Sequence, residues 1–174
     1  MQFPTSTLPY FTALTTWILF GLCSCKPSDS DHNATASSSD CTLETPLKPG
    51  VPGSPGNLIP SAINPNGHSE LAHLMREMQE DMSRIRDRLL RDEGVGAVDP
   101  SHKKIRCAWP TEESMRDQTF DLKAQSYLAT IDALERADTD QRGFYNAVVG
   151  QCISCHNTSC PGPITAIRKL QLPN

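Results

Sequence analysis

Residues 69–93 read SELAHLMREMQEDMSRIRDRLLRDE. Leu71, Met75, Met78, Met82, Ile85 and Leu89 recur at spacings of 4, 3, 4, 3 and 4, with charges of both signs between them. That period is one apolar stripe on an amphipathic helix. Ser69 can accept a hydrogen bond from the first turn as N-cap, and Gly94 and Gly96 give the chain an exit. The same rhythm returns further on. From about Thr111 to Ala137, after Pro110 and with Glu112 and Glu113 at the start, Phe120, Ala124, Tyr127, Ile131 and Leu134 form a second buried face. A third helix is expected from about Gln141 to His156, with Phe144, Val148, Cys152 and Cys155 in line. No window alternates with period 2, so the expected fold is all-α: an antiparallel helical bundle of three long helices plus short connecting and terminal helices.

Between the first two helices lie only 17 residues, VGAVDPSHKKIRCAWPT. A full bundle helix does not fit there; a short helical turn or ordered loop is expected, with Trp109 packing on the core. After the third helix Pro161-Gly162-Pro163 stops the chain, and Ile164, Ile167 and Leu170 suggest a short helix covering the end of the bundle.

The N-terminal part has another character. From Phe11 the chain runs FTALTTWILFGLCSC, with no charge before Lys26. This is shorter than the roughly 20 apolar residues that span a bilayer and has the length of a signal-peptide core. Its ending resembles a bacterial lipoprotein box, with the small Ser24 before Cys25, so residues 1–25 are expected to be a signal peptide ending at a lipidated Cys25. Residues 26–68 hold seven of the 14 prolines, together with many Gly, Ser, Asn and Asp. Such a composition buries too little apolar surface to offset its ordering entropy, and a disordered tether is expected. The folded domain is then 69–174. A net charge of −4 without a basic cluster argues against a nucleic-acid partner. Seven cysteines suit export to the periplasmic side or a cofactor site.

Residues 152–156 read CISCH. Cys-x-x-Cys-His is the signature of covalent haem c attachment. On a helix the two thiols are i and i+3, about 5–6 Å apart on one face, which suits addition to two vinyl groups on one side of a porphyrin. His156 then lies under the iron as proximal ligand. A thioredoxin-type disulfide would place the motif at the start of a helix after a strand, and a zinc site would need a second ligand pair; neither pattern is present.

Long helices with the haem motif near the end of the last resemble the class II c-type cytochromes, the cytochrome c-prime-like proteins. FYNAVVGQCISCHNTSCPGPITAIRKLQL is similar to the tail of small exported cytochrome-like proteins, and LMREMQEDMSRI to their first helix. The resemblance covers about residues 69–172 and points to a distal ligand early in the first helix. An antiparallel neighbour also presents its N-terminal end to the motif, bringing Met75 or Met78 nearest the iron. Both also fit the core stripe, and a five-coordinate iron is the remaining option. His73 lies off the stripe and is expected to face solvent, and His102 lies in the connecting loop. Among the other cysteines a Cys107–Cys160 bridge is the expected pairing, since both sit in bundle-end segments, with free buried thiols as the other option.

The expected function is one-electron transfer by a membrane-tethered monohaem cytochrome that meets redox partner proteins in the periplasm. No nucleophile–base set accompanies the motif, so an enzyme is not expected. Small-gas binding at an open distal site is the alternative; a lipoprotein whose haem is chiefly structural is a third.

Overall fold

The computed structural model describes residues 41–173; the expected signal peptide, the lipidated Cys25 and residues 26–40 of the expected tether lie outside them. Helix α1 spans Glu70–Leu90, α2 Gln118–Glu135, α3 Gln141–Ser159 and α4 Ile164–Arg168. Among the described residues there is no strand, only an isolated antiparallel bridge between Ile59 and His68. The domain is helical, as the periodicity requires. No helix among the described residues is long and apolar enough to cross a membrane.

Each long helix starts where a side chain satisfies its free N–H groups. Ser69 accepts from Ala72 N–H at 3.2 Å, Asp117 from Phe120 N–H at 2.7 Å, and Asp140 from Gly143 N–H at 3.2 Å. The second helix therefore begins later than Thr111. Residues 113–115 form a separate 3-10 turn instead. Arg116 holds this stretch in place by donating to the carbonyls of Thr42 at 2.6 Å and Thr45 at 2.9 Å.

The core joins all the helices. Helix α2 packs along α3, α4 covers α3, and α1 lies against α3 and the 3-10 turn Pro100–Lys104. All five expected residues of α2 are buried, whereas on α1 Leu74 and Asp81 join the buried face and Met75 is only partly buried. On α3 the buried face is Tyr145, Val148 and Val149, and Phe144 is 39% exposed. The shift by one residue has a polar cause. The Tyr145 hydroxyl, fully buried, lies 3.0 Å from the carbonyls of both Met82 and Leu170, tying α3 to α1 and to the segment after α4.

The tether expectation is corrected for residues 41–68. Cys41 is bonded to Cys107, Trp109 Nε1–H donates to Lys48 O at 2.6 Å, and Glu70 N–H donates to Gly53 O at 3.1 Å. Gly53 has φ +88° and approaches so closely that a Cβ there would lie 2.1 Å from Glu70 N. Ile59 and His68 exchange two backbone hydrogen bonds, at 2.9 and 2.8 Å. The segment is thus a strap. It is fixed by a covalent link and by main-chain hydrogen bonds, which a count of apolar residues does not register. Trp109 is half-buried and belongs to this clamp rather than to the centre of the core.

The same disulfide corrects the Cys107–Cys160 expectation. Cys107 is paired with Cys41 at a Cα separation of 5.6 Å, within the usual span. Cys160 is a free, exposed thiol at the C-cap of α3.

Candidate haem site

The CISCH motif lies in the last two turns of α3, and the helix runs on to Ser159 before the Pro161-Gly162-Pro163 stop. Cys152 and Cys155 are free thiols, both partly buried. Burial pushes the Cys152 thiol up to about 12, with Cys155 beside it adding to the rise. Burial raises Cys155 as well, against the pull of Lys123. Both are thiols rather than thiolates near neutral pH. They are not tuned as redox nucleophiles or as thiolate metal ligands, for which the thiolate is needed. Among the described residues no group of three or more His, Cys, Asp or Glu side chains is gathered to hold a metal ion.

His156 is oriented by the helix end. Its Nδ1 lies 2.8 Å from the Cys160 carbonyl oxygen, an arrangement in which Nδ1–H donates. The cap that places this carbonyl is the Cys160 N–H donating back to His156 O at 3.2 Å. With Nδ1 committed, Nε2 keeps the lone pair that a metal ligand requires.

The motif opens on a cavity of about 300 Å³, lined by Cys152, Cys155 and His156 of α3, by Met75, Met78 and Met82 of α1, by Phe120 and Tyr127 of α2, and by Ile167 and Leu170. Met115, from the 3-10 turn before α2, completes one side. All four methionines among the described residues therefore border this space. A second, smaller space of about 30 Å³ shares Met75, Met78, Cys152, Cys155 and His156. Both expected distal candidates thus border the same spaces as the motif. Met78 is buried and Met75 half-buried. Met115 was invisible in the sequence because it belongs to no periodic face.

The remaining histidines behave differently. His73 is exposed and pairs with Glu77 at 3.4 Å, as expected of a residue off the stripe. His102 is fully buried and does not line the cavity. Its Nδ1 is 2.5 Å from the Tyr127 hydroxyl and its Nε2 is 3.2 Å from Asp81 Oδ2. Asp81 also accepts from Asp99 N–H at 3.1 Å and from Arg84. Burial would raise the Asp81 carboxyl, but the adjacent His102 imidazole and the hydrogen bonds from Asp99 and Arg84 outweigh it and hold the carboxyl down at about 2. Tyr127, whose phenol burial pushes far up, carries this polar chain to the cavity wall. Sequence reading missed it because its members come from α1, the connecting turn and α2.

Chemically, this is an apolar chamber with two thiols and one oriented imidazole on a single helix, faced by thioether sulfurs. The chain matches no family model, no curated protein and no solved structure.

Proposed function

We propose that this chain is a monohaem c-type cytochrome that transfers electrons one at a time and is not an enzyme, its helices arranged as an antiparallel bundle in the manner of class II cytochromes. Cys152 and Cys155 hold the haem as thioethers and His156 ligates its iron. The observation that carries the reading is that CISCH opens on an apolar cavity with its histidine already oriented, Nδ1 on the Cys160 carbonyl and Nε2 free.

The residues present fit the group. The walls are largely apolar, the thiols are protonated, and soft thioether donors face them. When bound, the haem supplies a one-electron iron couple whose potential the axial ligands and the burial of the site set. The chain's own part is to fix the imidazole, to exclude water with Leu71, Phe120, Ile167 and Leu170, and to offer a thioether, from Met75 first and Met78 second, as sixth ligand. The Cys41–Cys107 disulfide supports an exported location, since such bonds persist in oxidising compartments. Lipid attachment at Cys25 would anchor the domain at the periplasmic face of a membrane, where it meets redox partner proteins.

The test is direct. Protein expressed in the periplasm, stripped with acidified organic solvent and run on a denaturing gel, retains haem peroxidase staining. Cys152→Ala together with Cys155→Ala abolishes it. Staining that survives the double variant removes the assignment.

A further inference from the structure

One charged group on the cavity wall has no counterpart. Arg76, half-buried on α1 next to Met75, borders the cavity, and no Asp or Glu does. On the same helix Arg84, Arg86 and Arg88 each pair with a carboxylate, as does Arg91 at its C-cap. Arg76 pairs with none among the described residues. Its Nη1 donates instead to Nε2 of His68 at 2.5 Å. His68 is a neutral acceptor, because its burial and the adjacent guanidinium hold its imidazole below the usual range. A cation at the edge of an apolar chamber is costly without an anion beside it. A guanidinium has donors to spare after one hydrogen bond, in a planar fork that matches a carboxylate. Ser69 and Thr111, hydrogen-bonded to each other at 3.1 Å, also line this cavity and leave one hydroxyl proton between them as a neutral donor.

We propose that Arg76, oriented by His68, receives a carboxylate of the cavity's occupant. This rests on the haem reading, under which the carboxylate is a haem propionate. It also gives the strap a role at the site. His68 is held by its two backbone hydrogen bonds to Ile59, so the 41–68 segment aims the guanidinium. His68 is a positioning residue; Arg76 makes the contact.

The probe is iron-free protoporphyrin IX, compared with its dimethyl ester, titrated into the full chain prepared without haem and with its site thiols reduced. Without iron, ligation by His156 and the methionines drops out and the carboxylates alone distinguish the two porphyrins. The diacid should bind at least tenfold more tightly than the diester. Arg76→Gln should weaken the diacid about tenfold and leave the diester unchanged, which also shows that the variant is folded. His68→Leu should weaken the diacid alone, and His68→Gln, which keeps an acceptor, should restore much of the loss. Equal binding of the two porphyrins, or a variant that weakens both alike, overturns the role of Arg76 while leaving the haem reading intact. If neither porphyrin binds and the periplasmic protein carries no covalent haem, both readings fall.

Discussion

Breaking the Cys41–Cys107 bridge, by Cys41→Ala together with Cys107→Ala, tests how the strap is held. The bond closes a loop with a sequence separation of 66. In the chain-entropy treatment its removal frees the unfolded state by about 4 kcal/mol at 25 °C. The non-covalent anchors remain in the native state: Trp109 Nε1–H on Lys48 O, and Arg116 on the carbonyls of Thr42 and Thr45. Each contributes about 1 kcal/mol, somewhat more for the guanidinium, so the strap stays docked and the unfolded-state effect dominates. A domain of this size shifts its midpoint by about 4 °C per kcal/mol. The double variant should then melt roughly 15 °C below the parent, both compared by circular dichroism in the same haem state. Non-reducing peptide mapping of the parent should recover one cross-linked pair joining the Cys41 and Cys107 peptides. A midpoint lowered by less than about 3 °C would show that the strap does not depend on the bond. A Cys107–Cys160 cross-link would overturn the assignment itself.

Asp81 sets an acid limit on stability. Its carboxyl titrates at about 2 in the folded chain against about 4 when unfolded, so its contribution is complete above pH 4 and is lost as pH falls from 4 towards 2. Asp81→Asn should cost on the order of 2 kcal/mol in urea unfolding at pH 6 and much less at pH 2.5; a cost independent of pH would remove the carboxylate from the account. Met75→Ala should open a ferrous haem to carbon monoxide and erase the weak near-infrared sulfur-to-iron band of the ferric protein, while Met78→Ala leaves both as they were. If the unmutated ferrous protein binds carbon monoxide at once, gas binding replaces electron transfer; if Met78→Ala is the variant that opens the site, the ligand is Met78. Mass spectrometry of the mature N-terminus should show a diacylglyceryl-modified Cys25, and an unmodified N-terminus elsewhere would leave residues 26–40 as an ordinary leader.

The sequence by itself determined the helices and the motif. Leu71 through Leu89 and Phe120 through Leu134 carry helical period over several turns, and a face that repeats this way has one way to be buried. CISCH is equally local, since two thiols and an imidazole within five residues need no other part of the chain to be near each other. What only the tertiary structure decided depends on residues far apart in sequence. The strap is one case: its proline-rich composition signals low burial, yet a bond across 66 positions and a set of main-chain hydrogen bonds fix it. Tyr145 taking the core in place of Phe144 is another, settled by two carbonyls, on α1 and beyond α4, that its hydroxyl alone can reach. Met115, Arg76 and the Asp81–His102–Tyr127 chain come to the cavity, or to its wall, from segments with no common period. Periodicity reports which face of an element is apolar. It carries no information on which polar groups from separate elements meet there, because that is fixed by the packing of one element against another.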